Sequence, residues 1–428
     1  MRGTSLTPAY VLGGYEAGLA VVRSLGEAGV PVVCVWHSEL EIARASRHVR
    51  LSVRAPDPWL ESEKYVQFLL DLEGRLGGGL VVATTDETLI TVARAKDTLE
   101  TVHLVASPSW SVAERFVDKH RTYALAERLG IAAPRTVLPT SAEELEQIAT
   151  DFPYPCVVKP RLSHLYRDAF GVKMTKASGP EGLVATWRRA EQAGIGVLVQ
   201  EYIPGPESGG VNYNGYLVDA GVVAELTARK VRLCPSDLGY PSVVVSRRVP
   251  EVLAPSRRLL QGMGMTGFAN VEFKRDARDG SYKLMEVNGR PNMSGLLSLR
   301  CGTNFPLITY RHHVLGELPS AGVGGKDKQG VYWINESADL LAGASRVRAG
   351  RLSLRAYVEP YVRPHVFARL SVSDPSPFLI RAISKLGSMF KGLSPKNSVS
   401  HRQPTTGGRA TGPLPWPQDD RDREATSL

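Results

Sequence analysis

The chain has 428 residues, of which 43% are hydrophobic and 22% charged, an ordinary composition for a folded protein of several domains. Its formal charge of +9 makes anionic small molecules, nucleic acid and anionic membranes the partners to consider. The sequence has no run of five like charges, so a basic arm that binds nucleic acid is not expected. It has no stretch of about 18 apolar residues that would cross a membrane. Its start lacks the pattern of a signal peptide. The four cysteines are too scattered for a zinc cluster or a disulfide framework. We therefore expect a cytoplasmic protein with reduced thiols that does not bind nucleic acid.

The first hundred residues alternate short apolar segments with amphipathic ones. This pattern predicts strands at Ala9–Leu12, Val32–Trp36, Leu80–Ala83 and His103–Val105, and helices at Ala17–Ala28, Tyr65–Leu76 and Glu87–Leu99. Such alternation predicts a Rossmann-like α/β domain with a parallel sheet covered on both faces. Gly13, Gly14 and Gly18 lack the dinucleotide-binding spacing, and no acidic residue ends the second strand. We interpret them as turn glycines rather than as an NAD site.

From residue 111 the pattern changes to α+β with largely antiparallel sheets. Helices are predicted at Lys119–Leu129, after an N-cap at Ser141, at Glu181–Ala193 and at Pro255–Met263. Strands are predicted at Thr136–Leu138, Cys156–Lys159, Gly171–Thr175, Val197–Gln200, several times within 211–249, and in a hairpin of Ala269–Lys274 with Tyr282–Val287.

The last quarter of the chain is the most basic. A Gly-rich break at Ala321–Gly325 precedes an ordered stretch to about Leu370, a basic amphipathic helix at 378–393 and a disordered tail from Ser394. Residues 321–428 hold 16 Lys and Arg against 9 Asp and Glu, so they carry +7 of the total charge. We predict domains at 1–110, 111–200 and 201–320, an extension at 321–370, and a basic helix and tail at 371–428.

The predicted hairpin carries the strongest chemical signal. Glu286 and Asn288 are two residues apart on one strand, so their side chains share a face. Glu272 lies on the neighbouring strand and can meet them across the ladder. Two carboxylates and an amide oxygen form a set of hard ligands that suits Mg²⁺. The alternative interpretation is an exposed polar face of a sheet.

Two further motifs point to a nucleotide. Lys159 ends an apolar strand and is followed by Pro160, which fixes a positive charge where a phosphate could meet it. The strand at Val197–Gln200 leads into a proline-rich loop, whose freed backbone groups could pair with an adenine edge while Glu207 accepts from ribose hydroxyls. If each motif is taken singly, the alternative for Lys159 is a solvated lysine at a strand end, and the alternative for the proline-rich segment is an ordinary loop.

The order and spacing of these motifs resemble the ATP-grasp superfamily, and within it the carboxylate–amine ligases akin to D-aspartate ligase, over about residues 8–318. The resemblance implies a Rossmann-like pre-ATP-grasp domain followed by α+β ATP-grasp domains, a small lid subdomain and a C-terminal subdomain with the Mg–ATP site. The motifs that carry it are Gly13-Gly14, Arg23–Gly26, Ala43–Ser46, Asp118-Lys119 with Gly130-Ile131, Val157–Pro160, Gln200–Gly205, Glu272–Lys274 and Glu286–Arg290.

The resemblance also implies a role for each site residue. The phosphates would be met by Lys119 and Lys159, and the terminal phosphate by Lys230. The adenine would be met by Gln200 and by the backbones of Glu201 and Ile203, and the ribose by Glu207. The metal ligands would be Glu272, Glu286 and Asn288, with Mg²⁺ or Mn²⁺, and Arg290 would hold the substrate carboxylate and the tetrahedral intermediate. Many relatives have a Gly/Ser-rich loop that covers the phosphates; in this chain, closure over the triphosphate would rely instead on Ser163, His164, Arg167 or Lys173.

The implied activity is an ADP-forming ligation of a carboxylate, expected to be an amino acid, to an amine through an acyl phosphate. One alternative is transfer of the acyl group to a carrier-protein thiol, with the basic tail docking an acidic carrier protein. Another is a nucleotide-binding protein without catalysis. The expected partners are small-molecule substrates and a second copy of the chain. The 378–393 helix could lie on an anionic membrane, or it could pack on its own domain or on a partner subunit.

Overall fold

The computed structural model describes residues 6–161, 166, 169–319 and 327–383. Several predictions lie outside these residues: the loop candidates Ser163, His164 and Arg167, the Gly-rich break, most of the predicted 378–393 helix and the predicted disordered tail.

The first sheet has five parallel strands in the order β3-β2-β1-β4-β5. The strands are β1 (Ala9–Leu12), β2 (Val32–Trp36), β3 (Val49–Arg54), β4 (Leu80–Ala83) and β5 (Leu104–Val105), and the helices between them are α1 (Glu16–Gly26), α2 (Ser62–Leu76), α3 (Asp86–Arg94) and α4 (Lys96–Leu99). Adjacent residues of β1 enter different clusters, Val11 with Leu19 of α1 and Leu12 with Leu69 of α2. The predicted parallel sheet with both faces covered is confirmed.

The turn between β1 and α1 binds a carboxylate of its own chain. Glu41 is fully buried and accepts hydrogen bonds from the backbone N–H groups of Gly14, His37 (3.1 Å) and Ser38 (3.0 Å). Backbone donors at such a turn are the groups that hold a pyrophosphate in dinucleotide-binding proteins. Because Glu41 takes the Gly14 N–H of this turn, and two further N–H groups that follow β2, the turn supports the interpretation of structural glycines. A Cβ at Gly18 would lie 2.1 Å from the carbonyl oxygen of Gly13, so only glycine fits there.

The second sheet has four strands in the order β6-β9-β7-β8, all antiparallel. They are β6 (Thr136–Val137), β7 (Cys156–Pro160), β8 (Thr175–Ala177) and β9 (Val197–Glu201), with α7 (Ala142–Asp151) and α8 (Pro180–Gln192) packed against them. The Ser141 side chain caps α7 by accepting from the N–H of Glu144, as predicted. The strand predicted at Gly171–Thr175 is wrong, because Gly171 turns the chain at a φ of 71° and pairing begins only at Thr175.

The third sheet has seven strands in the order β14-β13-β10-β11-β12-β15-β16. They are β10 (Gly210–Val218), β11 (Gly221–Cys234), β12 (Tyr240–Ser246), β13 (Gly267–Arg275), β14 (Tyr282–Asn288), β15 (Tyr332–Ile334) and β16 (His365–Phe367), and every adjacent pair except β15 with β16 is antiparallel. The predicted hairpin is therefore confirmed as β13 and β14. The helices packed on this sheet are α5 (Trp110–Val117), α6 (Lys119–Arg128), α9 (Leu253–Gly262), α10 (Gly295–Cys301) and α11 (Phe305–Tyr310).

The C-terminal part of the described chain folds back on this sheet and on the first one. Helix α12 (Glu336–Arg348) is fastened by an ion pair of Asp339 with Arg232 on β11, at 2.7 Å, with both side chains at most 4% exposed. Helix α13 (Leu354–Val362) follows. Asp374 accepts from Arg23 of α1 at 2.9 Å and from Ser46 at 2.7 Å. A helix covers 376–383, the described beginning of the predicted 378–393 helix.

Candidate functional site

The hairpin of β13 and β14 brings the predicted acidic residues together. Glu272 lies directly opposite Glu286, and Asn270 lies directly opposite Asn288. The residues that alternate with these along the two strands, such as Val271 and Val287, point into the buried core. The carboxylates and amides therefore share the face turned away from that core, because alternate residues of a strand point to opposite sides.

Strand β10 adds two asparagines to the same face, which the sequence analysis missed. Asn212 is in register with Glu272, and Asn214 with Asn270. Within the described part of the chain, the side-chain oxygens of Asn212 and Asn270 are buried without a hydrogen-bond partner. Buried unsatisfied carbonyl oxygens are unusual, because each costs desolvation energy that a bond would offset. The alternation Asn212-Tyr-Asn214 on a strand was the signal that could have found them.

Lysines surround the two carboxylates. Lys230 on β11 lies 2.5 Å from Glu272, and Lys119 at the start of α6 lies 3.5 Å from Glu286. Burial alone would raise the pKa of Glu272, but Lys230 and the neighbouring lysines hold it below its usual value. Glu272 is thus kept ionised, the form in which a carboxylate binds a cation. In the described chain no three His, Cys, Asp or Glu side chains converge, so a metal here would need the amide oxygens too.

Two more lysines reach this face, one from β7 of the second sheet and one from the segment just before β8. Burial lowers the pKa of Lys159, which sits on β7 and contacts the Tyr123 hydroxyl at 3.4 Å, while Glu286 and Glu272 oppose that shift. Lys173 donates to the carbonyl of Gly239 at 3.0 Å, and burial with the nearby Lys230 charge lowers its pKa to about 8. Cationic side chains in a dehydrated cleft are suited to bind a polyanion.

Tyr123 is a further residue that the sequence analysis did not single out. Its hydroxyl donates to the carbonyl of Met285 on β14 at 2.6 Å and accepts from Lys159 of β7. One side chain of α6 thus connects the second sheet to the third beside the acidic pair. The signal available in the sequence was its position four residues after Lys119 on the same helix face.

The predicted adenine segment lies at the end of β9. Gln200 is fully buried, donates to the Thr136 hydroxyl at 2.9 Å, and has a side-chain oxygen without a partner among the described residues. The N–H of Glu201 donates to the carbonyl of Arg135 at 2.8 Å, and its carboxylate pairs with Arg278 at 2.5 Å. Ile203 is 1% exposed. The three predicted residues therefore lie together at the end of β9, and Gln200 offers a side-chain oxygen with no partner among the described residues.

Glu207, the predicted ribose ligand, is already bonded to two other segments. Its carboxylate accepts from the Leu233 N–H at 2.9 Å, the Asp237 N–H at 3.2 Å and the Ser236 hydroxyl. Arg346 of α12 donates to both of its oxygens, at 2.9 and 3.2 Å. Burial would raise the pKa of Glu207, but these donors hold it below its usual value.

Arg290, predicted to hold the substrate carboxylate, lies where the third sheet meets the first. Its Nε donates to Asp86 at 2.6 Å, and Asp86 opens α3 in the first α/β unit. Burial alone would lower the pKa of Arg290, but Asp86 raises it, so the guanidinium stays charged. Asp86 lies 204 positions earlier in the chain than Arg290.

The chain is similar to known ATP-dependent ligases. It is 25% identical over 285 residues to D-alanine–D-alanine ligase B of Pseudomonas putida, covering 65% of this chain and 79% of that enzyme. It is 26% identical over 237 residues to D-aspartate ligase of Enterococcus faecium, covering 53% of this chain and 56% of that enzyme. No family model matches the chain.

A solved structure with a similar fold is the biotin carboxylase domain dimer of 2-oxoglutarate carboxylase from Hydrogenobacter thermophilus, crystallised with MgADP. The TM-score is 0.61 at 17% identity, and the alignment covers 77% of this chain and 74% of that one. The fold, the order of the motifs and the curated relatives agree. The chain is therefore similar to ATP-grasp carboxylate–amine ligases, which supports the family, the ligase activity and the ATP and Mg²⁺ dependence predicted from its motifs.

Proposed function

We propose that this enzyme activates the carboxylate of an amino acid and joins it to an amine, forming an amide or peptide bond. The observation that carries the proposal is the pair Glu272 and Glu286, directly opposed on one hairpin and faced by Lys119 and Lys230. The relatives named above, a D-alanine–D-alanine ligase and a D-aspartate ligase, support an amino acid as the substrate.

The residues present fit a hard divalent cation. Glu272, Glu286 and Asn288 would hold it, since all three supply oxygen ligands, and the buried Asn212 and Asn270 oxygens lie in register beside them. A bound Mg²⁺ neutralises phosphate charge during transfer.

The remaining predicted residues would bind the nucleotide. Gln200 and the backbones of Glu201 and Ile203 would face the adenine, and Glu207 the ribose. Lys119, Lys159, Lys173 and Lys230 would neutralise the phosphates. The support for this assignment is the resemblance of these motifs, in their order along the chain, to those of ATP-grasp enzymes.

The chemistry follows from the weakness of a carboxylate as an electrophile. The carboxylate oxygen attacks the γ-phosphorus of ATP, ADP leaves, and the resulting acyl phosphate carries a good leaving group. The amine nitrogen then attacks the acyl carbon, and phosphate departs from a tetrahedral oxyanion. We assign Arg290, held by Asp86, to the substrate carboxylate and this oxyanion. The lysines contribute by orienting the phosphates and neutralising their charge.

We further propose the division into a pre-ATP-grasp domain, a lid subdomain and a C-terminal subdomain, with the Mg–ATP site between the last two. A homodimer is proposed, as one structural neighbour is a domain dimer. Among the described helices, none has the length and apolar character needed to cross a bilayer. A cytoplasmic location, and contact of the basic tail with an anionic membrane or carrier protein, stay proposals; removal of residues 384–428 would test the tail by vesicle sedimentation.

The test of the proposed function is a screen of amino acids in pairs. The enzyme, ATP and Mg²⁺ are incubated with each pair, and ADP, phosphate and the condensed product are measured. We expect release of ADP and phosphate only with pairs that yield a product, and loss of that release in Glu286→Ala. The exposed Glu251→Ala is the matched control and should retain activity. Full activity of Glu286→Ala would contradict the assignment.

A further inference from the structure

The C-terminal extension inserts an arginine into the nucleotide cleft. Arg346, in the last turn of α12, donates to both oxygens of Glu207 and to the carbonyl of Leu233 at 2.6 Å. The two charged side chains are only 18% and 17% exposed. This ion pair is therefore shielded from water more than a surface pair would be.

Glu207 has no capacity left for a further donor. An ionised carboxylate offers about four lone-pair sites. Five hydrogen bonds already converge on it: two from Arg346, one from the Ser236 hydroxyl and two from the backbone N–H groups of Leu233 and Asp237. A ribose hydroxyl can bind Glu207 only if one of these donors leaves.

Arg346 is the donor best able to leave. Two of the others are backbone N–H groups, of Leu233 near the end of β11 and of Asp237 in the turn that follows, and the third is on a short serine side chain. Arg346 is carried on a long side chain with several rotatable bonds. Its helix, by contrast, is held firmly, because Asp339 pairs with Arg232 and also accepts from Ser242 and Tyr361. The guanidinium can therefore withdraw while α12 stays in place.

We propose that Arg346 and the nucleotide ribose compete for Glu207, so that the C-terminal extension weakens ATP binding. This inference rests on the proposed ribose role of Glu207. Release of Arg346 then accompanies ATP binding, and the ion pair re-forms when the nucleotide leaves. A partner or ligand that drew Arg346 away would raise the affinity for ATP.

The experiment measures nucleotide affinity by calorimetry, with Mg²⁺ and without acyl or amine substrate. Arg346→Gln should bind ATP about fivefold more tightly than the wild type, the factor expected for loss of one ion pair. Arg348→Gln, an exposed arginine of the same helix turn, is the matched control and should bind like the wild type. With 2′,3′-dideoxy-ATP, which lacks both ribose hydroxyls, wild type and Arg346→Gln should bind equally.

The Glu207→Gln variant should bind ATP more weakly than the wild type. The double variant with Glu207→Gln and Arg346→Gln should bind ATP no more tightly than Glu207→Gln alone. Unchanged or weaker ATP binding by Arg346→Gln would overturn the inference, as would an equal gain with the dideoxy nucleotide. If the wild type itself fails to bind ATP, the proposed function fails; if it binds and Arg346→Gln binds no tighter, only this inference fails.

Discussion

At the scale of single residues, the cleft is defined by a surplus of positive charge. Lys119, Lys159, Lys173 and Lys230 surround two carboxylates. Without a nucleotide the lysines are partly balanced by Glu272 and Glu286. A bound polyphosphate would neutralise the positive charge that remains. A divalent cation would offset the repulsion between the phosphates and the two carboxylates.

Lys173 should make ATP binding depend on pH. Its pKa is lowered to about 8, so the ammonium form exists below that pH and is lost above it. A polyanion favours the charged form, so the Kd for ATP should rise several-fold as the pH increases from about 7 to about 9. Calorimetric titrations across this range measure the effect.

The Lys173→Gln variant should bind ATP more weakly and lose this pH dependence. Lys176→Gln, which removes a more exposed lysine from the same sheet edge, should keep it. An unchanged pH profile in Lys173→Gln would show that another group is responsible.

Whether a contact between two residues can be predicted from the sequence depends on how far apart they lie along the chain. The opposition of Glu272 and Glu286 could be predicted, because a hairpin places neighbours within one ladder. The contact of Arg346 with Glu207 joins residues 139 positions apart, on an element with no motif. No local pattern encodes such a contact, since it depends on how α12 packs on β11.

At the scale of elements, α12 depends on one buried ion pair. Arg232 and Asp339 are 4% and 1% exposed and make two hydrogen bonds. Asp339→Asn would leave the Arg232 charge buried without its counter-ion. We expect the free energy of unfolding to fall by about 3–5 kcal/mol, measured by urea denaturation.

The control for this prediction is an exposed ion pair of the same region. Glu359 and Arg363 are 4.0 Å apart and about half exposed, so Glu359→Gln should change the free energy of unfolding by less than about 0.5 kcal/mol. Equal effects of the two substitutions would mean that the buried pair does not anchor α12.

Prediction of elements succeeded where periodicity was strong. The β1, β2 and β4 strands and the β13–β14 hairpin follow directly from their apolar patterns. Strand β3 was not predicted, although residues 49–54 alternate apolar and polar side chains; as an edge strand it leaves Arg50, Leu51 and Ser52 exposed. For the stretch after residue 327 the prediction was order without elements, because β15 and β16 are short and depend on the sheet they extend.

At the scale of the whole molecule, the C-terminal extension joins the third sheet to the first. Asp374 accepts from Arg23 and Ser46 and also from the N–H of Arg47. Arg369, a few residues earlier, pairs with Glu16 at the start of α1. These contacts fasten the extension to α1 and to residues 46–47 of the first α/β unit.

Asp374→Asn should loosen this connection. Arg23 is 4% exposed, so loss of the charged partner leaves it unpaired in a buried position. We expect faster hydrogen exchange in residues 43–47 and 365–374, read by mass spectrometry. Val372→Ala, at a fully exposed position, should leave the exchange unchanged. Faster exchange in both variants would indicate that the segment frays regardless of Asp374.

The most direct test of the proposed chemistry follows one oxygen atom. The amino acid that serves as acyl substrate is labelled with ¹⁸O in its carboxylate, and the phosphate released with ATP and the amine is examined by mass spectrometry. An acyl phosphate intermediate requires that one carboxylate oxygen remain on the phosphate, so labelled phosphate should appear in step with the amide product. Product formation with unlabelled phosphate would contradict the account.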